Sequence, residues 1–456
     1  MITTILAFVL TVGVLIVIHE YGHYRVAVAC GVKVLRFSVG FGRVLWRRQS
    51  GPDATEFVLC ALPLGGYVRM LDEREGHVPS AQAHRAFNRK PLSQRAAIVA
   101  AGPAANLLLA ALLYAVVHWI GVDEPKAVLG PPVSQSIADR AGLRAGDWVR
   151  AYSPDGVDWT DLRSLTELRW EVTQAVLRGA PLHLMVTDRE GRGQRRIRLA
   201  SDSLDAGEVD ARLMQKIGIA GPHSEPVLGE VRSGGPAAAA GLRSGDRVLA
   251  IDGTAISDSA QIRELIRASG RTGEPLEMQW RVQRAADTLE LRVLPKVAVQ
   301  NGERVGRIEV MPGQPPEIVA VQYGPLDGLA KGVTQTWDMA ALTLKMLGKM
   351  VIGEASLKNL SGPLTIADYA GQSARLGLAY YLGFLAVVSV SLGVLNLLPL
   401  PVLDGGHLMY YLFEGLTGRP VSELWLDRLQ RGGVAIMLMM MSLALYNDMA
   451  RLLGLH

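Results

Sequence analysis

Residues 19–23 of this chain, HEYGH, lie inside an apolar run that covers about residues 2–30. A run of that length predicts a membrane-spanning helix, in which ionisable side chains cost roughly 2.5–3.5 kcal/mol each on insertion scales. On a helix, His19 and His23 lie one turn apart on the same face, so their imidazoles can bind one metal ion. Glu20 can take a proton from an attacking water, which completes the His-Glu-x-x-His pattern of zinc hydrolases. The pattern can arise by chance, but the cost of placing these groups in an apolar span favours a zinc site.

Three further apolar stretches predict that the chain crosses the membrane four times. They cover about residues 96–120, 380–400 and 434–446, in a chain that is 49% hydrophobic. The last stretch is short against the ~20 residues that a span needs, unless it extends to residue 453. A signal peptide has a positively charged segment before its apolar run. No Lys or Arg precedes the first run here, so we expect that run to be retained as a helix.

Charge predicts the orientation of the chain in the membrane. The loop between the first two spans, residues 31–95, carries eleven basic and five acidic side chains. By the positive-inside rule it lies in the cytoplasm, which places both termini and residues 121–375 in the periplasm. Cys30 and Cys60 then fall on the reducing side, which suits unpaired thiols. The net charge of +4 comes without a basic patch interleaved with aromatics, so we expect no nucleic acid partner.

The cytoplasmic loop contains an apolar, turn-punctuated run at residues 57–70, in which Gly65-Gly66 between β-forming residues predicts a hairpin. At membrane depth a hairpin is tolerated only where it is buried in protein or lines a wet cavity. An exposed strand edge next to a protease site could pair with an extended substrate. A purely structural hairpin is an equal alternative. The candidate substrate-binding residues of this hairpin are Gly65, Gly66, Tyr67, Val68, Arg69 and Met70.

An internal repeat lies between the second and third spans. Residues 141–149, AGLRAGDWV, recur as residues 240–248, AGLRSGDRV, and helix-like and strand-like stretches follow each copy. Two tandem modules explain this better than one large domain. The motif resembles PDZ domains, which bind peptides by adding a strand at a groove and often capture a terminal carboxylate. The first copy departs from the pattern after Val149, so whether it binds a peptide stays open.

A two-histidine site needs another ligand, because catalytic zinc usually takes three protein ligands and a water. Asp404 follows an apolar helix that is broken by Pro399 and Pro401. The predicted topology places this carboxylate at the cytoplasmic end of the third span, at the depth of the two histidines. A helix-ending turn acid is the alternative for Asp404, and the match in depth favours the metal ligand.

Two polar residues near Asp404 are further candidates. Asn396, about two helical turns earlier, could hydrogen-bond the backbone of a bound substrate, or it could be a structural amide. His407 is close enough in sequence to lie behind the metal ligand, and the sequence leaves its role open.

These features predict a polytopic α-helical membrane protein with four transmembrane helices, a tandem of periplasmic PDZ-like α+β domains and a membrane-associated β-hairpin on the cytoplasmic side. The predicted divisions are transmembrane helix 1 (1–30), the cytoplasmic-side loop (31–95), transmembrane helix 2 (96–120), PDZ-like domain 1 (121–212), PDZ-like domain 2 (213–298), a periplasmic connector with interfacial helices (299–375), transmembrane helix 3 (376–406), a cytoplasmic loop (407–431) and transmembrane helix 4 (432–453).

Taken together, HEYGH, the Leu403-Asp404-Gly405 core and the tandem modules resemble site-2 proteases. The segments 102–106 (GPAAN) and 359–363 (NLSGP) add to a resemblance that extends over nearly the whole chain. It implies an inner-membrane zinc protease of Gram-negative bacteria, with one Zn²⁺ per chain. Its implied substrates are membrane-spanning anti-sigma factors, cut after another protease has acted, and remnant signal peptides. The tandem would act as a size filter that admits only trimmed substrates.

Two other classes of protein remain open at this point. A membrane-anchored metalloprotease with a water-facing site would take its third ligand from a soluble domain, yet His183 and His223 have no supporting pattern. A non-catalytic PDZ scaffold would bind no metal and would be indifferent to Glu20.

Overall fold

The computed structural model describes residues 2–51, 53–204, 209, 212–219, 221–300, 303–352 and 362–452. Residues 359–361 of the NLSGP segment lie outside the described residues. The chain forms two compact units, one made of Met1–Val122 with Gln322–His456 and the other of Asp123–Val321.

The helices and strands are numbered in chain order. The α-helices are α1 (Ile2–Ala29), α2 (Leu92–Ile120), α3 (Ile137–Arg140), α4 (Leu165–Arg178), α5 (Leu213–Ile217), α6 (Pro236–Ala239), α7 (Ser259–Ala268), α8 (Pro325–Val351), α9 (Pro363–Leu376), α10 (Leu378–Asn396), α11 (Asp404–Thr417) and α12 (Glu423–Leu452). The strands are β1 (Val34–Arg48), β2 (Glu56–Met70), β3 (Val122–Pro125), β4 (Trp148–Ser153), β5 (Thr160–Asp161), β6 (Leu182–Thr187), β7 (Arg195–Leu199), β8 (Leu228–Val231), β9 (Arg247–Ile251), β10 (Thr254–Ala255), β11 (Met278–Arg284), β12 (Asp287–Val293), β13 (Lys296–Gln300), β14 (Glu303–Arg307), β15 (Val310–Pro312) and β16 (Ile318–Val321).

Among the described residues, four helices are long and apolar enough to cross a membrane, which confirms the predicted number. They are Ile2–Ala29, Leu92–Ile120, Leu378–Asn396 and Leu424–Ala450. The fourth is longer than its apolar stretch suggested, because α12 continues through polar residues at both ends. The predicted third span, 376–406, is divided: α10 ends at Asn396, and Asp404 is the first residue of a separate helix, α11.

The first unit is built around α2, which packs against α1, α8, α10 and α11. Helix α8 falls within the connector, residues 299–375, that was predicted to contain interfacial helices. It runs antiparallel along α2, with Gly328 against Trp119 and Gly332 against the backbone of Ala111 and Ala115. Small residues let two helix backbones approach closely, so the glycines explain why α8 packs lengthwise.

The loop between α1 and α2 folds into a sheet of two long, bent strands. Strand β1 ends at Arg48 and β2 begins at Glu56, so the prediction of a hairpin turn at Gly65-Gly66 is wrong. Both glycines are inside β2, where Gly66 pairs with Val39. Residues 36–39 pair with 66–69 on one edge and with 56–59 on the other. The β2 strand therefore bends between its two halves, and Gly65, with a φ of 149°, lies against the ring of Phe41 at that bend.

The second unit contains the two predicted modules, and they share one topology. Their four-stranded sheets have the orders β5-β4-β6-β7 and β10-β9-β11-β12. In each copy the repeated Gly-Asp leads into a strand, and the aspartate accepts a backbone N–H three residues earlier, Arg144 for Asp147 and Arg243 for Asp246, at 2.8 Å in both cases. The repeat therefore encodes the same turn twice.

Each module has its own apolar core. Helix α4 covers the first sheet, and α7 lies in the second module, where Trp280 is fully buried. The two cores have distinct residue sets, which supports tandem modules over one large domain.

Candidate metal centre

Three side chains predicted to bind metal converge in the first unit. The Nε2 atoms of His19 and His23 are 3.2 Å apart. Oδ2 of Asp404 lies 3.1 Å from Nε2 of His19 and 3.5 Å from Nε2 of His23. Four-coordinate zinc, with bonds of about 2.0–2.1 Å, holds its ligand atoms roughly 3.4 Å from one another. The three donor atoms therefore have the type and the spacing that a zinc ion requires.

Glycines allow the helix backbones to reach this arrangement. A Cβ on Gly102 of α2 would overlap the imidazole of His23 and press on that of His19. A Cβ on Gly22 of α1 would overlap the backbone oxygen of Ala101. The α2 backbone therefore forms one wall of the site, directly against the two imidazoles, and this explains the glycine of the GPAAN segment.

A tight turn presents the carboxylate from the opposite side. Residues 397–403 are non-helical between α10 and α11, and Asp404 begins α11. A Cβ on Gly405 would overlap the carbonyl oxygens of Leu397 and Leu398, and one on Gly406 would overlap that of Leu400. The two glycines after Asp404 are thus needed for the turn to fold back on itself and aim the carboxylate at the histidines.

The ring nitrogens that face away from the carboxylate also have partners. Nδ1 of His23 lies 2.8 Å from the backbone oxygen of Ile98, to which it can donate. Nδ1 of His19 lies 3.2 Å from the side-chain nitrogen of Asn106. Metal-binding histidines usually have such a partner on the second nitrogen, because it orients the ring. Sequence reasoning missed the role of Asn106, although its place four residues after Gly102 on α2 puts it on the same helix face.

The candidate base contacts the hairpin. The carboxylate of Glu20 interacts with the backbone N–H of Val68, and Gly66 lies against the Glu20 side chain. Part of the predicted substrate strand is therefore beside the candidate zinc site. Arg69 instead pairs with Glu75 in solvent at 3.3 Å.

A family model agrees with these motifs. The model of peptidase family M50 matches residues 7–440. The chain belongs to this family. A protein of Ralstonia nicotianae that carries the provisional name zinc metalloprotease RSc1411 is 42% identical over 469 aligned residues, with 99% of each chain covered. The regulator of sigma-E protease RseP of Escherichia coli is 40% identical, with 98% of each chain covered.

Membership of the M50 family makes the chain a zinc metalloprotease of the site-2 type. It has one suitable donor set among the described residues, formed by His19, His23 and Asp404, whose ligand atoms all lie within 4.8 Å of one another.

The remaining candidates of this M50 protein do not join the donor set. Asn396 is the last residue of α10 and is half-buried, so it stays a prediction as a substrate-binding residue. The non-helical residues after it replace the two helical turns that were expected. Tyr67 lies 3.4 Å from Arg36 through its hydroxyl, and Met70 packs on an apolar cluster that includes Ala27. The ring of His407 packs edge-on against Tyr410.

Proposed function

We propose that this chain hydrolyses peptide bonds within or beside the membrane, in transmembrane segments of other membrane proteins. The observation that carries the proposal is the position of the donor set and Glu20. Three of these four groups lie on α1, a helix long and apolar enough to span a bilayer. The wall behind them is a second such helix, α2. A site in that setting is reached from the membrane more readily by an apolar segment than by a soluble peptide.

His19, His23 and Asp404 would hold the zinc ion. The chemistry supplied by a zinc ion held there would be that of a Lewis acid, which activates the scissile carbonyl and the attacking water. Glu20 accepts a proton from the attacking water and passes it to the leaving amine, as a general base and then a general acid. Its contact with the N–H of Val68 holds the carboxylate beside the strand on which the substrate is expected.

The substrate helix has to unwind, because an intact helix hides its carbonyls in backbone hydrogen bonds. We propose that the Gly65–Met70 half of β2 pairs with the unwound segment by adding a strand. The residues of this half stay in one sheet through their pairing with residues 34–39. Asn396 would hydrogen-bond the substrate backbone from the end of α10.

The relatives narrow the substrate class. The Escherichia coli relative is named as a regulator of sigma-E protease. By that likeness, the proposed substrates are single-pass anti-sigma factors that a first protease has already cut, together with remnant signal peptides, in an envelope stress response. The chain would lie in the inner membrane of a bacterium, with both termini and the two modules in the periplasm and the site near the cytoplasmic side.

The shared topology of the two modules supports a PDZ-like role for them. Each presents a four-stranded sheet and a helix, and the same Gly-Asp turn leads into the sheet. A PDZ-like pair could bind peptide ends or exclude substrates that still carry a large periplasmic domain. Comparing cleavage of a full-length and a trimmed substrate, with and without residues 123–321, would test the filter.

Glu20→Gln tests the catalytic assignment. Zinc content should stay at one per chain, while cleavage of a model transmembrane substrate falls by about 10²–10⁴-fold, the usual contribution of a general base. Glu75→Gln, on the exposed partner of Arg69, is the matched control and should cleave like the wild type. Normal proteolysis by the Glu20→Gln variant would contradict the assignment of Glu20 as the general base.

Asp404→Asn tests the ligand that comes from outside α1. The substitution keeps the shape of the side chain but removes its charge, so zinc occupancy should fall below one per chain at a buffered zinc concentration that fills the wild-type site. Asp53→Asn, in an exposed ion pair with Lys33 and Arg85, is the control. Full occupancy and activity in Asp404→Asn would remove this residue from the site.

A water-facing metalloprotease and a metal-free scaffold are the competing functions. In the structure, His223 pairs with Asp258 at 3.0 Å, and His183 lies beside Gly156. Labelling of cysteines placed next to His19 would separate the two protease classes, because a membrane-buried site is slow to react with a charged reagent.

A further inference from the structure

The α2 helix carries a polar side chain that faces the candidate zinc site from behind. Asn106 is completely buried, with 0% exposure. Its side-chain nitrogen lies 3.2 Å from Nδ1 of His19. Its side-chain oxygen is also buried and has no hydrogen-bond partner among the described residues. An amide in such a place costs stability unless its groups are paired, which points to a role in the site.

The tautomer of His19 decides what this amide does. A neutral imidazole carries one proton, on Nδ1 or on Nε2. If the amide nitrogen donates to Nδ1, the proton is on Nε2, which faces Asp404 at 3.1 Å, and that nitrogen cannot bind a metal. If Nε2 is to be a ligand, the proton is on Nδ1 and needs an acceptor.

The amide supplies that acceptor by turning over. Oxygen and nitrogen of an Asn side chain are nearly the same size, and the hydrogen-bond network decides which one occupies which position. A half-turn places the unpartnered oxygen on the Nδ1–H of His19. The second histidine already has this arrangement, since Nδ1 of His23 has the backbone oxygen of Ile98 as its acceptor at 2.8 Å.

We propose that Asn106 is a positioning residue whose side-chain oxygen accepts the Nδ1–H of His19. It holds the imidazole in the tautomer that leaves the Nε2 lone pair free for zinc. The proposal rests on His19 being a zinc ligand, as set out above. Partners of this kind typically change metal affinity by about 10–100-fold when removed.

The backbone of Asn106 is held separately from its side chain. The hydroxyl of Ser389, on α10, donates to the backbone oxygen of Asn106 at 2.7 Å, and both residues are fully buried. Ser389→Ala therefore weakens the packing of α2 on α10 without changing the amide that faces His19. It is the matched control for a merely structural role.

A direct test needs no substitution. In the metal-free chain with ¹⁵N-labelled histidine, nitrogen chemical shifts distinguish the two neutral tautomers. His19 is expected to carry its proton on Nδ1, with a coupling or close contact to the side chain of Asn106. A proton on Nε2 of His19 in the neutral, metal-free protein would overturn the proposal.

The second test measures zinc affinity by competition with a chelator in three variants of the full chain. Asn106→Leu removes the acceptor, and the zinc dissociation constant should rise about 10–100-fold. Asn106→Asp restores an acceptor and should remain within a few-fold of the wild type, and so should Ser389→Ala. Thermal unfolding of each metal-free variant shows whether the fold is retained, and the tautomer measurement stands if Asn106→Leu does not fold.

The outcomes separate this inference from the proposed function. Wild-type affinity in Asn106→Leu, or equal losses in the Leu and Asp variants, would contradict the role of Asn106 alone. If the His19→Ala variant still bound one zinc per chain with wild-type affinity, the assignment of His19 as a ligand, on which the inference rests, would be contradicted instead.

Discussion

Two helix contacts in the first unit hold their partners by opposite means. In the α1–α2 seam, formed by Gly22, Ala101, Gly102 and Ala105, the backbones are so close that a Cβ on either glycine would overlap its neighbours. In the α9–α12 contact, the buried carboxylate of Asp448 accepts backbone N–H groups from Gly362, Leu364 and Thr365 at 2.9–3.1 Å, together with the Thr365 hydroxyl.

The two contacts differ in how they respond when their helices move apart. A close-packed seam loses its attraction as soon as the helices separate, because dispersion falls steeply with distance. It therefore keeps the imidazoles of α1 fixed. A polar contact is a set of discrete bonds at one point. Among the described elements α12 packs mainly on α9, whereas α1 packs on α2, α9 and both strands of the hairpin. We expect the seam to be rigid and α12 to be the element that can move.

The largest effect is expected from breaking the seam. Gly102→Ala places a methyl group on the imidazole of His23, so the ring has to shift. Misplacing a catalytic group by about 1 Å can cost 100-fold in rate, and we expect kcat/KM to fall at least that far, with zinc content below one per chain.

Gly13→Ala is the matched control for this prediction. Gly13 is also on α1, but a Cβ there meets nothing within 4 Å. That variant should keep zinc and activity, as alanine favours a helix. A Gly102→Ala enzyme with full zinc content and rate would show that the seam is less rigid than its geometry indicates.

The α1–α2 seam also shows which parts of the site could be predicted from the sequence and which could not. HEYGH and the LDG core predicted which three side chains come together, because their spacing and apolar setting restrict the chemistry; that these side chains bind the zinc stays a prediction. The partner of His19 was missed because Asn106 lies 87 positions away from it, and only packing brings α2 there. The hairpin turn was misplaced because Gly65-Gly66 satisfies turn chemistry locally, whereas the pairing of Gly66 with Val39 requires extended backbone.

A smaller effect is expected from cutting the α9–α12 contact. Asp448→Ala removes four hydrogen bonds, and interhelical bonds in membranes average about 0.6 kcal/mol each, so roughly 2 kcal/mol of stability should be lost. Zinc content should stay normal, while cysteines placed on α9 and α12 should cross-link less efficiently.

Asp427→Ala is the control on the same helix, since Asp427 makes an exposed pair with Arg431. It should change neither stability nor cross-linking. Loss of zinc in Asp448→Ala would contradict the distinction, because the two contacts would then be coupled.

The smallest effect is expected from a related carboxylate in the second unit. Asp258 caps α7, accepting the N–H of Ala260 at 2.7 Å, and it also pairs with His223. Burial raises the pKa of Asp258, but the His223 contact and the backbone N–H groups outweigh it, so the pKa lies below its ordinary value of 3.8.

A carboxyl group with a lowered pKa in the folded state stabilises the protein fully above its unfolded pKa and loses that contribution as the pH falls through the folded value. Asp258→Asn keeps a side chain that can cap the helix but removes its charge, so it should cost about 0.3–1 kcal/mol at pH 7, and the difference from the wild type should shrink below pH 4. Oxidative labelling of the buried Trp280 in urea titrations measures this difference in the free energy of unfolding. Asp287→Asn, at an exposed position, is the control. A difference that is constant from pH 7 to pH 3 would show that shape, rather than charge, makes this cap stabilising.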